Sequence, residues 1–311
     1  MEVFKKVTMA APLQLVLTPH HAPENPASIF DALDVAESTR AEYKWRIPAF
    51  LAFLGGQPLS VQSYLDYKRY LGERTDLSIS TKNKYLVAAR IFLKELNRRG
   101  LLPMDITQNV RFFQQSKKHK REGLNDQEMG ELAAWLRELE PTPATARLKA
   151  IICLLALQGL RQVEICRLDV ADLDLVTKTA LVQGKGRDDK EAIDLTPQTV
   201  TALREYLKTA RVADGPLFPS WHHDPRCFRL TPRSLRRIIR QALDGLGIDK
   251  TTHGFRHWFT TKLLTEYKGD LLEARQYTRH SGLEMLRVYD DRRKQQDDLP
   301  RFYSAFEGVK L

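Results

Sequence analysis

Between Gln114 and Gly123 the chain reads QQSKKHKREG, with cations at Lys117, Lys118, Lys120 and Arg121 and no apolar period from which a helix or strand could be built. A stretch that cannot bury surface divides the 311 residues into two bodies, each needing its own core. The length agrees with two domains of ordinary size. Residues 1–30 carry little periodic pattern and hold Pro12, Pro19, Pro23 and Pro26, so they read as a flexible arm. Lys5, Lys6 and the apolar stretch to Leu17 faintly resemble an export signal, but Thr8, Pro12 and Gln14 interrupt it. The expected order is an arm over 1–30, a helical domain over 31–113, a basic linker over 114–123 and a second domain with a C-terminal tail over 124–311.

The first domain shows helical spacing and no strand pattern. Ser38 is placed to cap a helix whose Tyr43, Ile47, Phe50, Leu51 and Leu54 recur at helical spacing, with Pro48 expected to kink it or move its boundary. A second helix from about Ser60 aligns Tyr64, Tyr67 and Leu71. A third from about Ser80 aligns Tyr85, Ala88, Phe92 and Leu96. Its other face holds Lys82, Lys84, Arg90, Lys94, Arg98 and Arg99, with no acid four residues away to pair most of them. Such a face is ordinarily a solvated surface. Mutual repulsion on a face of one sign makes a phosphate backbone the alternative. The whole chain carries +10 with a pI near 9.5, which favours a polyanionic partner because bound cations release counterions from phosphates. Lys82, Lys84, Arg90, Lys94 and the four linker cations are the candidate nucleic-acid contacts.

Cys153, Cys166 and Cys227 are odd in number and lack a CxxC spacing, so neither a disulfide framework nor a zinc site is expected, and a reducing, cytoplasmic setting fits. The longest apolar run is too short to span a bilayer.

The second domain opens on a capping box, Asn125 with Glu128, followed by Met129, Leu132, Leu136 and Leu139. Arg147 to Leu160 reads as a buried helix. Thr179–Gln183 and Ala192–Leu195 read as strands joined through a GKG turn. Thr196-Pro197 and Thr231-Pro232 each place a cap residue before Pro at a first helical position. The remainder, to about Phe306, reads as helical. The fold class expected is mainly α with a small β-sheet.

Four short pieces carry chemistry. In LQGLRQVEICRL, Arg161 follows a Gly-Leu pair at the rim of an apolar helix, where a guanidinium is costly unless it meets an anion; an acid such as Glu164 is the plain alternative. QGKGRDDK puts Lys185 at a hairpin tip. In THGFRHW, His253 and Arg256 share a helix face, and Thr251 or Thr252 could cap that helix and aim its positive end at a phosphate. In RHSGLEMLRVYDDRR, His280 and Tyr289 lie nine apart, with Arg287, Arg292 and Arg293 around the tyrosine.

In order and wording these pieces resemble the tyrosine recombinase family, the phage integrase and Xer-like enzymes. That family carries Arg in a G-L-R-x-x-E-[LI] box, Lys in a G-K-G hairpin, an H-x-x-R helix, a later His and a nucleophilic Tyr nine residues on. The resemblance covers about Leu124 to Phe306 strongly, and Asp31 to Phe113 only as helical pattern and length. It implies that the first domain is a DNA core-binding domain and the second an α+β catalytic domain. It assigns catalysis to Arg161, Lys185, His253, Arg256, His280 and Tyr289. It also implies a 3′-phosphotyrosine intermediate without metal or nucleotide, a homotetramer on paired inverted-repeat sites of double-stranded DNA, and a possible accessory protein. The tail, with Leu299, Phe302, Tyr303 and Phe306, would dock in a neighbouring subunit or in its own. Two departures stand out. The family's Leu-Gly before the later His is Thr278-Arg279 here, and its Thr-Gly-Leu-Arg reads Gln158-Gly159-Leu160-Arg161. The competing readings are a type IB topoisomerase-like enzyme and a catalytically silent DNA-binding regulator of the same fold.

Overall fold

The computed structural model describes residues 26–115, 123–184, 186–221, 228–279, 282–284 and 286–290. The linker cations Lys117, Lys118, Lys120 and Arg121, the arm up to residue 25, Lys185, Cys227, His280, Arg292, Arg293 and the tail lie outside these. The chain divides into two compact units, Met1–Ser116 and Lys117–Leu311.

The first unit is built from a short 3₁₀ turn, Pro26–Ala32, and helices α1 (Glu37–Leu54), α2 (Val61–Glu73) and α3 (Ile79–Arg98). Ser38 lies inside the first turn of α1 and does not cap it; Ala36 holds that position without a side-chain bond. Pro48 sits within α1 and does not end it, and Gly55 closes the helix in the left-handed conformation, φ 55°. Ser60 caps α2 through a reciprocal bond with Ser63. α3 starts at Ile79 because Ser78 provides the cap, accepting from the Thr81 N–H. Phe30, Phe50, Tyr64, Tyr67, Leu86 and Phe92 fill the core. Each such side chain contributes roughly 1.5–3 kcal/mol on burial, which outweighs the modest capping terms of about 1 kcal/mol each.

The one-sign face of α3 is largely neutralised inside the unit. Lys82 is buried at 6% exposure and donates to the Gly72 carbonyl at 2.8 Å. Arg90 bonds the Val110 carbonyl and lies 4.1 Å from the Phe112 ring. Lys84 meets Glu42 at 3.3 Å, Lys94 meets Asp105 at 3.7 Å, and Arg98 and Arg99 share Glu95. The expectation of unpaired cations fails because most partners come from other elements, outside the four-residue window along the helix.

In the second unit Asn125 and Glu128 form the expected reciprocal cap of α4 (Asp126–Glu138). α5 (Pro143–Ala156) begins four residues earlier than its apolar run, since Thr142 caps it and Pro143 occupies its first turn, and it ends before Leu160. α6 (Gln162–Arg167) follows directly. A three-stranded antiparallel sheet comes next, with β1 (Leu173–Asp174), β2 (Thr179–Gln183) and β3 (Lys190–Asp194) in the order β1-β2-β3. Thr179 pairs with Asp194 and Gln183 with Lys190, so the two main strands form a hairpin. β1, two residues long, has no legible sequence signal. Thr196-Pro197 and Thr231-Pro232 start α7 (Pro197–Ala210) and α8 (Pro232–Asp244) as expected. α9 (Thr252–Glu266) and α10 (Leu271–Thr278) follow, and residues 286–290 are helical. The core centres on α5, whose Ala150, Ile151, Leu154 and Leu155 are fully buried, with α7 and α9 packed against it.

Candidate active site

The turn after α5 places the first arginine. Gly159 takes φ 58°, which an L side chain rarely adopts, and the Leu160 N–H returns to the Leu154 carbonyl at 3.1 Å. A Cβ on Gly159 would lie 2.3 Å from the Phe259 ring of α9. The turn is therefore pressed onto α9, and its next residue but one, Arg161, stands at the N-cap of α6. Gly159→Ala should cost about 2–4 kcal/mol, adding left-handed strain to overpacking; urea unfolding would measure it, and a loss below 1 kcal/mol would contradict this account.

Arg256 grips the same turn from α9. It is 2% exposed. Its Nη1 donates to the Gly159 carbonyl and its Nη2 to the Thr278 carbonyl at the end of α10, both at 2.5 Å. One guanidinium thus holds the α5–α6 turn and the end of α10 together. Both acceptors are neutral main-chain groups. Burial first, and the cations Arg161 and Arg279 second, push the Arg256 pKa down to about 10, with Glu164 opposing them. The group stays charged at neutral pH.

Glu164 is the buried counter-charge, its side chain 0% exposed. Oε1 accepts from Arg161 Nη1 at 2.7 Å; Oε2 accepts from the Arg161 backbone N–H at 2.8 Å and from Arg279 Nη2 at 3.0 Å. Burial pushes its pKa up, but Arg279 and the bonds from Arg161 outweigh that and hold the carboxyl below its ordinary value. The plain alternative raised for Arg161, a pairing with Glu164, is therefore present. It does not exhaust Arg161, whose side chain remains one-third exposed, 33%. Three guanidiniums around one buried carboxylate leave the cluster with excess positive charge.

Tyr289 lies beside this cluster. It is 5% exposed and packs with Leu264 of α9 and Ala274 of α10. Burial raises the phenol pKa above its ordinary value, while Arg256 and Arg161 pull it down without cancelling the rise. The phenol is therefore neutral at pH 7.

Among the described residues, the histidine whose ring packs on Tyr289 is His257, which the sequence reading did not single out. His257 is buried, with its ring centroid 4.7 Å from Tyr289 and 5.0 Å from His253. His253, one turn earlier on α9, is exposed and packs edge-on against His257. The sequence signal was available: a second histidine four residues along the same helix lies on the same side. Thr251 holds the N-cap of α9 without a side-chain bond, and Thr252 Oγ1 instead accepts from Gln162 of α6. Gly123 enters the unit against α9, where a Cβ would sit 2.6 Å from that of His257.

Residues 123–296 match the model of the phage integrase family, over half of the chain. The chain belongs to the phage integrase family. This tyrosine recombinase is 30% identical to the tyrosine recombinase XerC of Bacillus subtilis (strain 168) over 254 residues, 77% of this chain and 80% of that one. It is 28% identical to the XerC of Roseiflexus sp. (strain RS-1) over 275 residues, 83% and 85% of the two chains. A match to the tyrosine recombinase slr0733 of Synechocystis sp. (strain ATCC 27184 / PCC 6803 / Kazusa) is 31% identical but spans 47% of this chain and 48% of that one. The fold is shared with the XerH site-specific recombinase in its post-cleavage complex with a palindromic difH substrate, with a TM-score of 0.68, 19% identity and coverage of 84% and 78%. It is shared as well with a lambda integrase dimer bound to a COC′ core site, with a TM-score of 0.63, 15% identity and coverage of 85% and 74%.

Proposed function

We propose that this recombinase cuts and rejoins double-stranded DNA at specific sites through Tyr289. The observation that carries the reading is the charge excess around Glu164: Arg161 and Arg256 both act on the Tyr289 phenol. A phosphodiester is already an anion, and attack on it builds further negative charge on the non-bridging oxygens. Guanidinium forks match that charge, and each preorganised donor of this kind contributes about 3–4 kcal/mol in other enzymes.

The phenol oxygen forms a bond to phosphorus as the bond to the 5′ oxygen breaks, giving a 3′-phosphotyrosine. The phenolic proton leaves through the imidazoles of α9, His257 next to the ring and His253 beyond it. The departing 5′ oxygen takes its proton from Lys185, and His280 adds a donor to the phosphate; both roles are carried over from the family motif. Because the phosphoester bond energy is conserved, religation needs no nucleotide.

The same reading gives a core-binding role to the first unit, with Lys84, Arg90, Lys94 and the linker cations on the backbone; Lys82, buried and bonded to Gly72, contributes least. Four protomers assemble on two inverted-repeat sites, with the tail docked on a neighbour. Two relatives named XerC, matched over 85% and 80% of their own lengths, favour an Xer-like resolving role.

The decisive experiment enriches a binding site from a duplex library, places two copies on one plasmid and looks for strand exchange. Recombinant products are expected. Relaxation of any supercoiled plasmid without exchange would instead indicate topoisomerase chemistry, and tight binding without cleavage a silent regulator.

A further inference from the structure

Among the described residues, five other than glycine have positive φ: Asn109, Lys178, Arg211, Lys268 and Arg279. Four of them are exposed turn residues. Arg279, at φ 52° after α10, is different: its side chain turns inward and is only 8% exposed. The left-handed conformation costs roughly 1–2 kcal/mol for a residue with a Cβ, and burying a guanidinium costs more unless it is well paired. Glycine would avoid both costs, and it is what the family wording places here. The cation must therefore be doing something that a turn residue does not.

Its contacts show what. Nη2 bonds Glu164 Oε2 at 3.0 Å, and Nη1 faces Glu191 Oε1 of β3 at 3.6 Å. Glu191 is also held by Arg187, at 2.8 Å, across the same hairpin. The other oxygen of Glu164 is on Arg161. Charges therefore alternate from Arg161 through Glu164, Arg279 and Glu191 to Arg187, joining the turn after α5 to the β2–β3 hairpin. The links are unequal. The one to Glu164 is a full hydrogen bond, whereas the one to Glu191 is charge at a distance, and Nε and Nη1 of Arg279 are buried without a hydrogen-bond partner. A buried guanidinium with donors to spare is rare, and Glu191, half-exposed at the open end, is the acceptor within closing range.

We propose that Arg279 is a positioning residue, bridging Glu164 and Glu191 so that the β2–β3 hairpin is held in register with the arginine turn. The proposal rests on the recombinase reading for its purpose, since Lys185 lies between β2 and β3 in the sequence and must meet the phosphate that Arg161 holds. The bridge itself is testable without catalysis.

The test is amide hydrogen exchange on the DNA-free, full-length protein, with covalent capture on a nicked duplex run in parallel. Arg279→Gly suits the backbone. It should speed exchange in 179–183 and 190–194 by about 3- to 10-fold while leaving the α5 amides unchanged. Glu191→Gln, at a half-exposed position where folding is spared, should give a similar acceleration by itself and no further increase in the Arg279→Gly background. An Arg187→Gln control subtracts the local pair. Capture should slow by about 10- to 100-fold in Arg279→Gly, the scale of a misplaced catalytic group, and recover in part in Arg279→Lys. If α5 exchange rises with the hairpin, or the Arg279 and Glu191 effects multiply, the bridge is refuted. If exchange behaves as expected but the wild type captures no DNA, the bridge stands and the recombinase reading falls.

Discussion

Tyr289→Phe should abolish covalent capture of a nicked duplex, slowing cleavage by on the order of 10⁵-fold or more, the scale on which removal of a covalent nucleophile acts. DNA affinity and thermal stability should hardly change. The substituted ring keeps its place against His257, 4.7 Å away between centroids, and against Leu264 and Ala274. What is lost is the oxygen to which the proposed reaction assigns the attack. The paired measurement is a denaturant-resistant protein–DNA adduct for the wild type and none for the variant, at DNA concentrations where both are fully bound. An adduct of equal yield in the variant would remove Tyr289 from the chemistry.

Glu164→Gln should be the most damaging single change to stability among these residues, costing about 3 kcal/mol or more in urea unfolding, because it leaves guanidinium charge buried without its carboxylate. The amide keeps the volume, so the effect isolates charge. Its pH dependence has a definite sign. Arg279 and Arg161 together outweigh burial and hold the Glu164 pKa below its ordinary value. A carboxyl with a depressed folded-state pKa stabilises the protein above its unfolded value, about 4.3, and loses that contribution as the pH falls through the folded value. The difference in unfolding free energy between wild type and Glu164→Gln should stay constant from pH 7 to about 5 and shrink below about 4. A gap that widens on acidification would show that burial, not pairing, dominates at Glu164.

The local parts of this molecule were legible in its residues. Ser60, the Asn125–Glu128 pair and the two Thr-Pro pairs act over three or four positions, and each starts a helix where it should. The strand pattern placed the β2–β3 hairpin to within two residues. The ordered boxes pointed to Arg161, Arg256 and Tyr289, which the fold brings to one place, and to a family that the comparisons bear out. Lys185 and His280 fall outside the described residues.

Illegible were the partners. The cations of α3 looked unpaired because Glu42, Asp105 and the Gly72 and Val110 carbonyls reach them from other elements. His257 was not singled out because which side of α9 meets the Tyr289 ring depends on where residues 286–290 come to rest. Arg256 reaches a carbonyl 97 positions away, and Arg279 a carboxylate 115 away. The sequence by itself determined most of the elements and several of their caps, since these depend on neighbours within a turn. Only the tertiary structure decided which charges cancel and which remain in excess, because electrostatic balance is set by distance in space and by burial, neither of which leaves a periodic trace along the chain.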